Sequence, residues 1–337
     1  MEKIRLEITT WSIVKILLIL IGFGLIFLIK DIIVLLFLAL VIVASFRPIV
    51  NKWEKKIGRL PAVLALLLIG LMILGFIFYI LFPPLLEQFR QFVAALPELV
   101  NKFKFLNPSY KSVIESNVRT LTQNAGNITG GFITVTMGVF GGIVAFFAVI
   151  VMSVYLLLDK RGLPSLTESV VSPDMRPAVT DVAQKVSAKV GSWFRGQVLL
   201  SAIIGIVDLI GLLVIGVPYA LTLAVISAIL EFVPTIGPFL SGTIAALVAL
   251  SVSPLKALIV IILYLVVQQL ENSLIVPKIM QKAVGLSPVL IILAILIGAK
   301  LLGIIGALLA VPIAASLSVV VQELPEIRRA FQKNESQ

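Results

Sequence analysis

The sequence predicts an all-α integral membrane protein. About six full transmembrane helices are expected, with two Pro/Gly-broken re-entrant hairpins forming an inverted repeat in the C-terminal half. Three observations carry this. The 337 residues are 60% hydrophobic and only 13% charged, against nearer half and a quarter in ordinary globular domains. A soluble fold of that composition could not cover its exterior with polar groups. The apolar residues also gather into continuous runs rather than an alternating pattern, so the spans are helices and not barrel strands. Finally, two long apolar regions, 219–252 and 286–322, are interrupted by Pro and Gly.

A helix needs roughly 20 apolar residues to cross a bilayer core. Residues 11–29 qualify, with Lys15 near one end where it can snorkel. This run is long and has no prompt small-residue cleavage site, so it reads as a signal anchor rather than a cleaved peptide. Residues 32–46 follow after the Lys30–Asp31 break, and 61–82 and 132–158 carry no charge at all. Residues 198–216 qualify apart from Asp208, and 256–275 are apolar until Gln268. The predicted organisation is therefore 1–82, N-terminal transmembrane helices; 83–131, an extracytoplasmic helical insert; and 132–158, a transmembrane helix. A cytoplasmic helical insert, 159–197, precedes two repeat units, 198–252 and 256–322, and a cytoplasmic tail, 323–337.

In the first insert, Leu85, Phe89, Phe92, Leu96, Leu99 and Phe103 recur at helical spacing after Pro83-Pro84. An amphipathic helix is expected there, lying on the bundle or membrane surface or forming a subunit contact. The second insert holds Pro164, Pro173 and Pro177, then a helix from about Ala178.

The net charge is +10. The basic residues sit between apolar runs, so topology and anionic headgroups explain them better than nucleic acid does. Arg47, Lys52, Lys55, Lys56 and Arg59 crowd the 46–60 loop against Glu54 alone. That loop is expected inside, as are Lys3, Arg5, Lys160, Arg161, Lys278, Lys282 and the tail with Arg328, Arg329 and Lys333. Both termini are then cytoplasmic, in a multi-pass plasma-membrane protein. The chain contains no cysteine and no histidine. Disulfides, thiolate or imidazole metal sites and His-based triads are thus absent. No Walker A loop occurs either, which argues against ATP-driven chemistry. No cofactor, metal or enzymatic activity is expected.

A shift of 69 residues overlays 216–246 on 285–315. Gly216 meets Gly285, Ile236-Gly237 meets Ile305-Gly306, and Ile244-Ala245-Ala246 meets Ile313-Ala314-Ala315. Matching by chance is the alternative in a chain rich in Ile, Leu, Ala and Gly, but the matches cluster around the breaks. The charge rule starts one copy outside and the other inside. Broken helices at matching positions of opposed units mark secondary transporters.

Ionisable groups at membrane depth are costly and usually functional. Glu231 lies just before the break Pro234-Thr235-Ile236-Gly237-Pro238. Lys300 lies at the matching place before Gly303-Ile304-Ile305-Gly306. Either the two tips meet near the midplane with opposite charges, or each sits at a water-exposed turn. Asp208, in mid-helix, either binds a proton or cation or makes a structural hydrogen bond. Gln268, Glu271 and Asn272 share a helical face by spacing, lining a pathway or marking the cytoplasmic interface. Pro234, Gly237 and Pro238 leave backbone groups free, and such groups must face protein, water or a ligand.

A resemblance emerges from these motifs. Tyr155-Leu-Leu-Leu-Asp159-Lys-Arg-Gly162, Trp193-Phe-Arg195-Gly196-Gln197 and Glu231-Phe-Val-Pro234-Thr-Ile-Gly237-Pro238 resemble segments of the AI-2E (autoinducer-2 exporter) transporter family. So do Asn272-Ser-Leu-Ile-Val-Pro277-Lys-Ile, Gly285-Leu-Ser-Pro288 and Gly303-Ile-Ile-Gly306-Ala-Leu-Leu-Ala-Val-Pro312. The resemblance implies a bacterial-type plasma-membrane protein of about eight transmembrane segments, elevator-like and homo-oligomeric. It implies export of a small polar solute such as autoinducer-2, or sodium or lithium/proton antiport. A channel or a non-transporting scaffold is the remaining alternative.

The charge pattern generates a topology prediction. A single cysteine introduced at Lys104 of this cysteine-free chain should react with a membrane-impermeant thiol reagent added outside intact cells. Reaction only from the cytoplasmic side would reverse the assignment.

Overall fold

The computed structural model describes residues 28–102, 132–159, 173–280 and 285–335, together with Trp11, Leu17, Ile21, Gly24 and Leu25. The expected helix 11–29 lies largely outside the described residues, as do 103–131 with Phe103 and Lys104, and Lys160, Arg161, Gly162, Pro164 and Lys282.

Every regular element among the described residues is helical. In order they are α1 (Lys30–Ile57), α2 (Arg59–Lys102), α3 (Phe132–Leu158), α4 (Arg176–Ile215), α5 (Ala220–Leu230) and α6 (Ile236–Val252). Then come α7 (Pro254–Leu270), a π-helical turn (Glu271–Ile275), α8 (Val276–Met280) and α9 (Pro288–Glu335). Five stretches are long and apolar enough to cross a membrane: Lys30–Ile57, Arg59–Phe92, Arg176–Ile215, Pro254–Ile279 and Val289–Pro325. The apolar helix around 132–158 is also present. The chain is thus an all-α multi-pass membrane protein.

Two helices outrun any bilayer. α2 has 44 residues and α4 has 40, about 66 and 60 Å at 1.5 Å per residue. Pro83 and Pro84 do not end α2. The expected amphipathic helix is the continuation of the third span, not a separate element. Its Phe92 stacks edge-on against Tyr219 at 5.6 Å between ring centroids, and Gln88 Oε1 accepts from Thr222 N at 3.4 Å. Likewise the cytoplasmic helix expected from Ala178 and the span 198–216 are one unbroken α4.

α4 is the common wall of the bundle. It packs on α1, α5, α7, α8 and α9. At one end Gly191 lies so close to the Ala44 carbonyl that any Cβ would overlap it. Arg195 donates to the Ser45 carbonyl at 2.6 Å, Lys185 pairs with Asp181 and Glu323 at 2.8 Å each, and Lys189 donates to Ser318 at 3.4 Å. Nearby, Arg59 caps the C-terminus of α3, donating to the Leu157 and Asp159 carbonyls at 2.7 and 3.1 Å. A cation there satisfies orphan carbonyls and the helix dipole together. At its other end α4 stops at Gly216, left-handed at φ 71°, with Val217 N bonded back to the Leu212 carbonyl at 3.0 Å.

Both broken regions fold back. α5 has 11 residues, about 16 Å, roughly half a bilayer core. It turns at 231–235 into α6, and the two pack together. In α9, Gly303 is left-handed at φ 63°, ψ −142°. Gly298 and Gly306 lie backbone against backbone, although eight residues of straight helix would separate them by about 12 Å. Ile295 packs on Ala307 and Ala310 in the same crotch. α9 is therefore a hairpin of two arms despite its uninterrupted helical span. The 69-residue pairing has conformational counterparts. Gly216 and Gly285 are both left-handed, at φ 71° and 59°. Gly237 and Gly306 each abut the opposite arm of their own hairpin, Gly237 against Leu230 and Gly306 against Gly298.

These contacts separate two kinds of glycine. Gly306→Ala should lower the melting temperature in detergent, because backbone must shift to admit a Cβ, at about 1–3 kcal/mol. Gly75 has nothing within 4 Å of its Cβ direction. Gly75→Ala should be neutral or stabilising by up to roughly 1 kcal/mol. Equal melting shifts for the two would refute the crotch.

Candidate functional site

The site is built on one face of α4. Gln197, Ser201, Ile204, Asp208 and Leu212 are all buried, as positions four and three or four apart on a helix share a face. Three of these residues are polar, and each engages α5 or the turn that follows it. Gln197 Nε2 donates to the Glu231 carbonyl at 2.7 Å. Ser201 Oγ donates to the Ala228 carbonyl. Asp208 Oδ2 accepts from Ser227 Oγ. Gly205 lies between them against Ala224 and Ala228, leaving room for the two helices to close up.

From Asp208 the polar chain continues into α6. The Ser227 and Ser241 hydroxyls are 3.3 Å apart, and Ser241 donates to the Pro238 carbonyl at 3.1 Å. Tyr264 of α7 packs its ring on Gly242 and lies beside the Asp208–Ser227 pair. Leu212, Leu223, Ala245, Val248 and Val260 seal this chain from one side.

Glu231 occupies the tip of the α5–α6 hairpin and faces Glu271. Glu271 opens the π turn and accepts from Gln268 Nε2 at 3.0 Å. Both glutamates are close enough to Asp208 to feel its charge. Relative exposures are 0% for Asp208, 1% for Glu231 and 7% for Glu271. Among the described residues these are the buried charged side chains, with no buried lysine or arginine beside them. Asp208 Oδ1 and Glu231 Oε2 meet no donor. Among the described residues, no three of Asp, Glu, His or Cys converge closely enough to hold a metal ion.

The tip is strained and closed on itself. Thr235 sits at φ 68°, ψ −49°, and Ile236 N bonds to the Pro234 carbonyl at 2.8 Å. This is the rare γ-turn form, unfavourable for a β-branched residue. Val233 N bonds to the Leu230 carbonyl at 2.9 Å and Gly237 N to the Val233 carbonyl at 2.8 Å. The backbone groups expected to be freed by Pro234 and Pro238 are instead consumed within the turn or, for the Glu231 carbonyl, by Gln197.

Of the residues singled out by sequence, the structure gathers Asp208, Glu231, Gln268 and Glu271, with Pro234, Gly237 and Pro238 shaping the turn. Asn272 is exposed, one position on from the buried Glu271, as about 100° of helical rotation allows. Lys300 is also exposed and does not meet Glu231. The two hairpins touch instead through apolar groups, Val233 packing on Ile295, Ala307 and Ala310. Gly303 makes the second turn and Gly306 its crotch. The sequence reading overlooked Gln197, Ser201, Ser227, Ser241 and Tyr264. Their signal was present: Gln197, Ser201 and Asp208 recur on one face of an otherwise apolar run, and Ser227 precedes Glu231 by one turn.

Comparison with known proteins agrees with this architecture. The family model described as AI-2E family transporter matches residues 16–326. YueF of Bacillus subtilis (strain 168), which bears the name of a transport protein, is 30% identical over 292 residues, covering 80% of this chain and 78% of its own. YhhT of Escherichia coli (strain K12), likewise named for transport, is 27% identical over 294 residues, 85% and 82% of the two chains. PerM of the same strain, named as a permease, is 25% identical over 323 residues, 90% and 91%. The all-helical multi-span fold and the match over nearly its whole length make this chain a member of the AI-2E transporter family.

Proposed function

We propose that the chain is a secondary transporter working by alternating access, in which Asp208, Glu231 and Glu271 exchange protons for a monovalent cation. The observation that supports this is the burial of three carboxylates without a buried cationic partner among the described residues. An uncompensated carboxylate in a low-dielectric interior costs several kcal/mol. Protons or a bound cation supply the missing charge, and exchanging one for the other is antiport chemistry. The hydroxyls of Ser227, Ser241 and Tyr264 are suitable oxygen ligands around Asp208, while Gln268 orients Glu271.

The two hairpins fit such a cycle. They are short, broken at matched positions and in contact through Val233, as expected of an inverted pair moving against a fixed frame, elevator-like. The other end of the hairpin rests on Gln88 and Phe92 of α2, a contact that closes the outer side. Export of a small polar solute such as autoinducer-2 is the second cargo on the same scaffold. That solute would be held by Glu231, Gln268 and Glu271. The role is transport, not catalysis, in a bacterial-type plasma membrane and in a homo-oligomer.

Purified protein in proteoliposomes should dissipate an imposed pH gradient on addition of sodium or lithium. Asp208→Asn and Glu231→Gln should each reduce that flux by about tenfold or more. That loss corresponds to removing one charged hydrogen-bonding group, roughly 1.5–3 kcal/mol. Gln197→Ala should raise the half-saturating cation concentration, since it releases the Glu231 carbonyl and so the tip. Wild-type flux in both carboxylate variants would refute the assignment; no sodium or lithium response in the wild type would move the cargo to the organic solute.

A further inference from the structure

We propose that the cleft between α1, the first turns of α4 and the far arm of α9 binds one anionic glycerophospholipid, with an acyl chain in the cleft and its phosphate at Arg47 and Lys55. The cleft encloses about 390 Å³, within the roughly 300–1,000 Å³ of small-molecule sites. Its walls are nearly all aliphatic or aromatic, with Phe37, Val41, Val182, Val186 and Val320 among them, and Arg47 is the charged residue on its lining. A second cavity of about 480 Å³ adjoins it, lined by Arg47, Asn51, Glu54, Lys55 and Arg59. Arg47 belongs to both.

The two cavities together have the polarity of a lipid: an apolar slot and a mainly basic basin that share Arg47 as a wall. Within that basin Arg59 binds Glu54 at 2.9 Å and the Leu157 and Asp159 carbonyls, and Arg47 lies beside Arg59 and Asp159. Lys55 is exposed, and Lys52 and Lys56 flank it on the same helix end. Each solvable alternative fails on one half of the site. A soluble phosphate has no use for the slot. A zwitterionic lipid brings a cation that this rim repels. An anionic headgroup matches the basin while its chain fills the slot, and basic pockets between membrane helices take such headgroups. The charge rule also places this end at the cytoplasmic leaflet, where anionic lipid is available.

Native mass spectrometry of the purified full-length protein, released from mixed phosphatidylglycerol and phosphatidylcholine micelles, tests this. The wild type should retain phosphatidylglycerol in preference to phosphatidylcholine. Arg47→Gln and Lys55→Gln should each weaken that preference by about fivefold. Val186→Trp should fill the slot and abolish retention of both lipids at an unchanged gel-filtration volume. Val320→Trp, on the far and more exposed wall, does the same where Val186→Trp fails to fold. Glycerol phosphate should not displace the bound lipid. Equal retention of the two lipids by the wild type, or undiminished phosphatidylglycerol in Val320→Trp, would overturn the proposal. So would a change of oligomer mass in the tryptophan variants with lipid retention unaltered, which would assign the cleft to a second copy of the chain.

Discussion

The contact on which the structure depends is the seam between α4 and α5. Within a membrane there is no solvent to take up a stray donor or acceptor, so polar groups must find partners inside the protein. Gln197, Ser201 and Asp208 do this along one face of α4, to Glu231, Ala228 and Ser227 respectively. α5, with only 11 residues, is too short to be held by helix propensity or by spanning the bilayer. Its position is set by this seam and by the close approach at Gly205. The turn at 231–235, the start of α6 and the placement of Glu231 against Glu271 all follow from where α5 is held.

The same helix ties the seam to the rest of the bundle, and a five-residue motif does most of it. Trp193 packs on Val311 of the second hairpin. Arg195 donates to the α1 backbone at Ser45. Gln197 holds the tip of the first hairpin. Side chains two apart on a helix point about 200° from one another, so Arg195 faces α1 while Trp193 and Gln197, one turn apart on the opposite face, reach the two hairpins. Gly191, one turn earlier, permits the approach of α1. Substituting one of these residues therefore acts on a particular interface and not on the bundle in general.

Much of this was legible in the sequence because lipid imposes simple rules. Continuous apolar runs marked the helices, and Pro234, Gly237 and the Gly303–Gly306 pair marked both hairpin turns. Asp208, Glu231 and Glu271 stood out because a charge inside an apolar run is expensive. What escaped was what depends on rotation about a helix axis. Spacing groups Asn272 with Gln268 and Glu271, but adjacent helical positions differ by about 100°, and with Glu271 buried Asn272 faces outward. Matching positions in the repeat leave Lys300 either beside Glu231 or at an exposed turn, and it is exposed; the hairpins meet through Val233, whose apolar character gives no hint of an interface. The serines of the site were invisible because serine in a membrane helix usually bonds its own i−4 or i−3 carbonyl, as Ser45 does to Val41. Only their register with Asp208 and Glu231 distinguishes Ser201 and Ser227 from such cases.

The closed backbone of the tip bears on how the hairpin can move. The γ-turn bond at Ile236 and the bonds at Val233 and Gly237 all lie within the hairpin, so displacing α5–α6 need not break them. What must be exchanged are the few side-chain bonds along α4. At roughly 1 kcal/mol net for each of the two neutral bonds and about 1.5–3 kcal/mol for the one to Asp208, the polar share of that cost is of the order of 4 kcal/mol. Apolar contacts add little to it, since lipid tails and neighbouring side chains replace them with surfaces of equal polarity. A gap of a few kcal/mol is the scale on which two conformations of one protein coexist and a bound ligand decides between them. The bonds that fix the resting position of Glu231 are thus few, and local to the seam between α4 and α5.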